Sequence, residues 1–261
     1  MSRARRALSR SIAVSVLALA LGCATTRSLA PAPLPASDPR PAALLAALER
    51  DAAVRQSLRG VARLAVDAPA GSGRAKQILV LERPARLRVE VLGMLDQTLA
   101  LLVTDGARYR LVRSQDRSVE TGAVHAALLA DVAGIAVSPE QAVAVLLGAP
   151  VSSASRLERA AQLPEDAVRL EVRREGVLER EQLDFDASGN LQRWALLGAD
   201  GEVQLEALYQ DRRPLAGAAF AYDVELRDPR AGASVRVVWS RVELNPALPP
   251  DLFVVPQDTT P

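Results

Sequence analysis

The sequence predicts an α+β fold, mainly β: one antiparallel sheet of about ten or eleven strands, preceded by one helix and interrupted once by two more. Three observations predict it. Short segments alternate apolar and charged residues with a period of two, as in Leu87-Arg88-Val89-Glu90-Val91, the mark of strands with one face buried and one wet. Clusters of Asp, Gly, Asn and Pro separate these segments at short intervals. Across residues 123–147 the alternation gives way to helical spacing.

The elements follow in chain order. Arg3, Arg5, Arg6 and Arg10 precede an apolar run that ends at Ala20-Leu21-Gly22, directly before Cys23. That is the layout of a secretory signal with a small residue before the cut. A lone thiol there meets the requirement of bacterial lipoprotein processing. Residues 1–22 are therefore expected to be a lipoprotein signal peptide, with diacylglycerol and fatty acyl groups carried on Cys23. The alternatives are an uncleaved anchor, disfavoured because the run is short for a bilayer, and an ordinary signal peptide followed by a chance cysteine. Two or three chains on one cysteine make a stable anchor, each buried methylene contributing about 0.8 kcal/mol. Ala24 carries no acidic retention signal, which points to the outer membrane, lipid-anchored and facing the periplasm. Residues 23–42, rich in Pro, Ala and Ser, read as the lipidated cysteine and a disordered tether. A folded domain is expected over 43–256 and a flexible tail over 257–261.

From residue 41 to about 58, Leu44, Leu45, Leu48, Ala52 and Arg55 share one helical face. Strands follow. Val168, Leu170 and Val172 alternate with Arg169, Glu171 and Arg173; Val203, Leu205, Ala207 and Tyr209 with Gln204 and Glu206; Phe220, Tyr222, Val224 and Leu226 with Asp223, Glu225 and Arg227. Val235, Val237 and Trp239 continue the pattern, which Val238 breaks. The joints at 67–73, 104–106, 186–190, 198–201 and 228–232 carry turn chemistry. Within the interruption, residues 123–133 read as a short helix ending at Gly134. Ser138 reads as the N-cap of the next, with Pro139 at its first position and Gln141 placed for a capping box. Val143, Val145, Leu146 and Leu147 make this helix too apolar to stand free in water. Both helices must lie on the sheet, across its open mouth.

Composition excludes several functions. The 32 basic and 31 acidic residues leave a net charge of +1, without the positive excess of a nucleic-acid surface. Aromatics are 3%, too few for broad stacking platforms. The 49% hydrophobic and 24% charged residues suit a soluble domain with a core. The single histidine, His125, falls in the expected helix, and with Cys23 lipidated the common zinc sites lack ligands. No phosphate loop or nucleophile elbow is present. Carboxylate pairs such as Glu202/Glu206 and Asp184/Asp186 fall on wet faces. No catalytic residue, metal or dissociable cofactor is expected, and the chain does not read as an enzyme. The unusual feature is Gly93-Met94-Leu95-Asp96-Gln97, a turn with two large apolar residues at its tip. Either they tuck beneath the helices or they form an exposed hydrophobic finger that touches acyl chains or membrane.

These residues resemble a known family. A hairpin-rich sheet, a leading helix and two inserted helices on a lipoprotein tether are similar to the outer-membrane lipoprotein receptor LolB and its soluble carrier relative LolA. The stretch from Leu129 through Gly134 and Ser138-Pro139-Glu140-Gln141 to Leu146-Leu147-Gly148-Ala149-Pro150 is similar to the family's helix, glycine, linker and helix. Arg86 to Thr98 and Thr104-Asp105-Gly106 look like the strands around its protruding loop, with Leu95 where the family exposes a leucine. Val242-Glu243-Leu244-Asn245-Pro246 and Leu248 to Phe253 resemble its closing strand and tail. The resemblance implies a single, strongly curved sheet forming an incomplete β-barrel, with the two helices as a lid and an apolar concave face that holds the acyl chains of lipoproteins. It implies Met94 and Leu95 as the membrane- or cargo-contacting loop, and Val143, Leu146 and Leu147 as lid residues facing the cavity. It implies a part in lipoprotein localisation or insertion into the outer membrane, a soluble periplasmic carrier of LolA type as partner, membrane contact through the lipid anchor, no nucleic acid, and a monomer. The rival reading is a structural or assembly lipoprotein of the envelope with a filled core, using the same fold as a protein-binding module.

Overall fold

The computed structural model describes residues 31–150 and 155–255. The expected signal peptide, Cys23 and the tail at 257–261 lie outside the described residues. Strands β2 (Ser57–Ala68), β3 (Gly71–Glu82), β4 (Arg86–Leu92), β5 (Thr98–Thr104), β6 (Arg108–Arg113) and β7 (Ser118–Ala123) form one meander, each antiparallel to the last. A second meander comprises β8 (Ser155–Gln162), β9 (Val168–Arg174), β10 (Arg180–Phe185), β11 (Leu191–Leu197), β12 (Val203–Leu215), β13 (Ala218–Asp228) and β14 (Ala233–Leu244). β14 pairs with β2 and joins the two, and β1 (Ala32–Pro33) pairs outside β8. The result is one sheet that does not close, with β1 and β7 at its two ends.

The described residues thus hold fourteen strands, more than the ten or so read from alternation. The surplus is at the edges. β1, β7 and β8 bury almost no side chains, so nothing imposes a two-residue period on their sequences. β1 falls within the span 23–42: Leu34 N–H donates to the Ala160 carbonyl at 3.0 Å, a backbone pairing that a Pro-rich edge segment tolerates. Inner strands alternate as expected. Val168, Leu170 and Val172 of β9 are buried, whereas Arg169 on the other face donates to Asp184 of β10 at 2.6 Å.

Helix α1 (Arg40–Val54) begins with Pro41 in its first turn and buries Leu48. It stops short of the expected residue 58 because β2 starts at Ser57. Helix α2 is confined to Leu128–Ala133 and ends at Gly134, whose φ of 73° a Cβ would disfavour. Its expected first turn belongs instead to β7 and a link. His125 lies in that link, its ring 5.9 Å from that of Tyr109. Helix α3 (Pro139–Leu146) carries the capping box: Gln141 N–H donates to Ser138 Oγ, and Ser138 N–H to Gln141 Oε1.

The sheet wraps around α3. Tyr209 of β12 donates to the Val145 carbonyl, and α3 also packs on β4. On a flat sheet, β12 and β4 stand five strand spacings apart, about 24 Å. A helix about 10 Å across meets both only if the sheet curls. At the seam, Gly60 of β2 lets Trp239 of β14 lie flat, since a Cβ there would stand 2.8 Å from the indole and 2.7 Å from the Arg241 carbonyl.

Candidate ligand cavity

The inward faces of β2 to β6 and of β14 are built from regular cross-strand rows. Leu79, Val89, Leu102 and Leu111 form one row across β3, β4, β5 and β6, and Gln77, Val91 and Ala100 form the next. Leu129, Val132 and Ala133 of α2, Ile135 and Val137 between α2 and α3, and Ala142 and Leu146 of α3 cover these rows. Between floor and roof remains a cavity of about 160 Å³, and Gln77 is its one polar wall residue. That volume is below the roughly 300–1,000 Å³ of ordinary ligand pockets. A long ligand therefore requires α2 and α3 to move off the sheet. Nothing in the ladder resists this, since both helices are held by side chains and by their own connections.

Of the lid residues expected from sequence, Leu146 lines this cavity. Val143 and Leu147 are fully buried in the core and do not reach the wall. An all-apolar helix gives no polar stripe from which to read its orientation, so its period locates the helix but not the facing side. Leu129, Ile135, Val137 and Ala142 supply the wall that those two do not. Gln77 escaped sequence reading, although it interrupts the inward positions Ala75, Leu79 and Leu81 of β3.

Two arginines pin the far end of α3. Arg55 Nη1 lies 3.4 Å from both the Leu147 and Gly148 carbonyls, and its Nη2 pairs with Asp51 at 2.8 Å. Arg83 Nη2 donates to the Ala149 carbonyl at 2.7 Å, and its Nε to the Arg55 carbonyl at 3.1 Å. Cations suit the negative end of a helix. Burial pushes both guanidinium pKa values down, and each retains its carbonyl partners.

The β4–β5 turn holds its apolar tip outward. Gly93 N–H donates to the Gln97 carbonyl at 2.8 Å, Leu95 N–H to Gln97 Oε1 at 3.0 Å, and Lys76 pairs with Asp96 at 2.9 Å. Asp96 adopts a φ of 57°, which Asp tolerates better than most residues. Met94 and Leu95 are 101% and 90% exposed. They do not tuck beneath the helices.

A second cavity of about 390 Å³ runs along a different face of α3, against β10 and β11. Here Glu181, almost wholly buried, accepts from Trp194 Nε1 at 2.8 Å and lies 3.5 Å from Arg174. Burial pushes its carboxyl above the ordinary 4.5, against the pull of Trp194 and Arg174. Among the described residues, no three His, Cys, Asp or Glu side chains gather as a metal site, and no helix is long and apolar enough to cross a membrane.

No protein-family model matches the sequence, and no curated protein matches it. Solved structures do match the fold. A domain described as an outer membrane lipoprotein-sorting protein from Vibrio parahaemolyticus superposes with a TM-score of 0.55 at 12% identity, over 80% of this chain and 95% of that one. A LolA superfamily protein from Nitrosomonas europaea gives 0.55 at 10% identity, over 81% and 97%. A DUF1329 family protein from Desulfovibrio piger gives 0.54 at 10% identity, over 84% and 98%. At such identities the likeness is one of fold: the chain has the LolA/LolB-like fold.

Proposed function

We propose that this protein is a lipid-anchored lipoprotein of the bacterial outer membrane, facing the periplasm, which binds acyl chains of lipoproteins beneath α2 and α3 and takes part in their localisation or insertion. The observation that carries the reading is the apolar cavity between the curved sheet and its two covering helices. Acyl chains bind through buried apolar area, about 25 cal/mol per Å², and need few polar groups. The fully exposed Met94 and Leu95 support the reading from outside the cavity, since a finger that enters lipid has to stand free of the domain. A filled core used only as a protein-binding surface has no need of either feature.

In this reading the protein is not an enzyme and uses no cofactor beyond the acyl groups on Cys23. Cargo passes from a soluble carrier of LolA type to this cavity and then to the bilayer, down a gradient of affinity. The test mixes the protein, carrying Cys23→Ala, with an acylated lipoprotein held by such a carrier. Cargo that moves to the protein supports the reading. Cargo that stays on the carrier, with no uptake of a fluorescent fatty acid, refutes it.

A further inference from the structure

Gln77 is the one polar residue in the wall of the apolar cavity; it is 5% exposed, and no hydrogen bond reaches its Oε1. Its neighbours in the cross-strand rows are Ala62 on one side and Val91 with Ala100 on the other, none of which offers a side-chain donor. A buried amide left without a partner destabilises the empty fold by more than an apolar side chain of the same length would. Val91, its register partner, stands three residues before Met94, a span of about 10 Å at the rise of a strand. The amide stands in the middle of the lining: Leu64, Val66, Val235 and Val237 lie in the rows towards the apolar tip, and Leu79, Val89 and Leu102 in the row on its other side.

We infer that Gln77 is a specificity residue that receives the head of an amide-linked acyl chain, its Oε1 accepting the ligand N–H while the hydrocarbon lies along the apolar rows beside it. This rests on the acyl-chain reading above and narrows it to N-acylated cargo. The chemistry selects the ligand class: an unpartnered carbonyl oxygen needs a donor, an amide linkage has one next to its chain, and an ester linkage has none.

The test compares N-lauroylglycine methyl ester with its isostere, the lauroyl ester of methyl glycolate, in which oxygen replaces N–H. Both displace a fluorescent apolar dye from the full chain carrying Cys23→Ala. The expected result is about tenfold tighter binding of the amide, the worth of one buried hydrogen bond made rather than missed. Gln77→Met should bring the two affinities together at the level of the ester. Equal affinities in the unsubstituted cavity, as an ordered water on Gln77 would give, overturn the inference and leave the acyl-chain reading standing. A preference that survives Gln77→Met overturns it as well. Failure of both compounds to displace the dye overturns both. The first comparison needs no variant, so its outcome does not depend on how Gln77→Met folds.

Discussion

Replacing Leu95 by glutamate separates what the tip does from what the fold requires. Leu95 is 90% exposed and Met94 fully so, and the turn beneath them is held by backbone groups, Gln97 and the Lys76–Asp96 pair. None of those contacts uses the Leu95 side chain. Stability should change by less than about 0.5 kcal/mol, as for surface sites in general, which for a domain of this size is a shift of about 1–2 °C in Tm. Partition into lipid responds differently. Transfer of one leucine from water to hydrocarbon contributes about 1.5–3 kcal/mol, so its loss weakens membrane contact roughly ten- to hundredfold, and the added carboxylate weakens it further. Vesicle flotation of Cys23→Ala protein, with and without Leu95→Glu, reads the partition, and thermal denaturation reads the fold. A variant that floats like its parent would refute the membrane role. A variant that loses several degrees in Tm would show that Leu95 packs on the domain.

Three further outcomes follow from the same geometry. Arg83→Met removes the donors to the Ala149 and Arg55 carbonyls and should destabilise by about 1–3 kcal/mol, with faster amide exchange in α3; unchanged exchange there would mean that the clamp does not hold the helix. Glu181 carries a pKa above its ordinary 4.5 in the fold, so the folded state holds its proton more tightly than the unfolded chain, and its contribution to stability is lost as pH rises from about 4.5 through the raised value. Glu181→Gln can still accept from Trp194 and does not titrate, so its stability advantage in urea unfolding should grow from pH 4 to pH 8, and parallel pH profiles would count against the burial argument. Gly60→Ala places a methyl 2.7 Å from the Arg241 carbonyl and 2.8 Å from Trp239 and should destabilise by about 1–3 kcal/mol; a calorimetric Tm equal to the parent's would mean that β14 yields freely.

What the sequence made legible was local. Ser138, Pro139 and Gln141 reach only their own helix end, so three residues suffice to place it. The alternations in β4 and β9 were readable because one face of each meets the core. β8 meets little of it, and its sequence Ser-Arg-Leu-Glu-Arg-Ala-Ala-Gln keeps no period. The site was legible in part. The apolar tip stood out by composition, but its exposure depends on hydrogen bonds made by Gln97. The helix over 139–146 was evident, yet whether Leu146 or Val143 faces the cavity is decided by the curl of a sheet whose β4 and β12 both touch it. Gln77 needed the register of β3 before its neighbours were known.

The seam between β14 and β2 has a consequence for the order in which the molecule assembles. Each meander grows by hairpins between successive segments, whereas Val61 pairs with Arg241, close to the two ends of the folded chain. Loop closure of that length is slow relative to hairpin formation. The first strand of the β2–β3 hairpin therefore waits with an open edge until the last strand has been made. During that interval the nascent chain presents an unpaired strand, a recognised route to misassociation. Synthesis of the final dozen residues of the sheet is thus the step that turns two half-sheets into one container, and truncation before Ala233 would leave the cavity open along the flank that β14 closes.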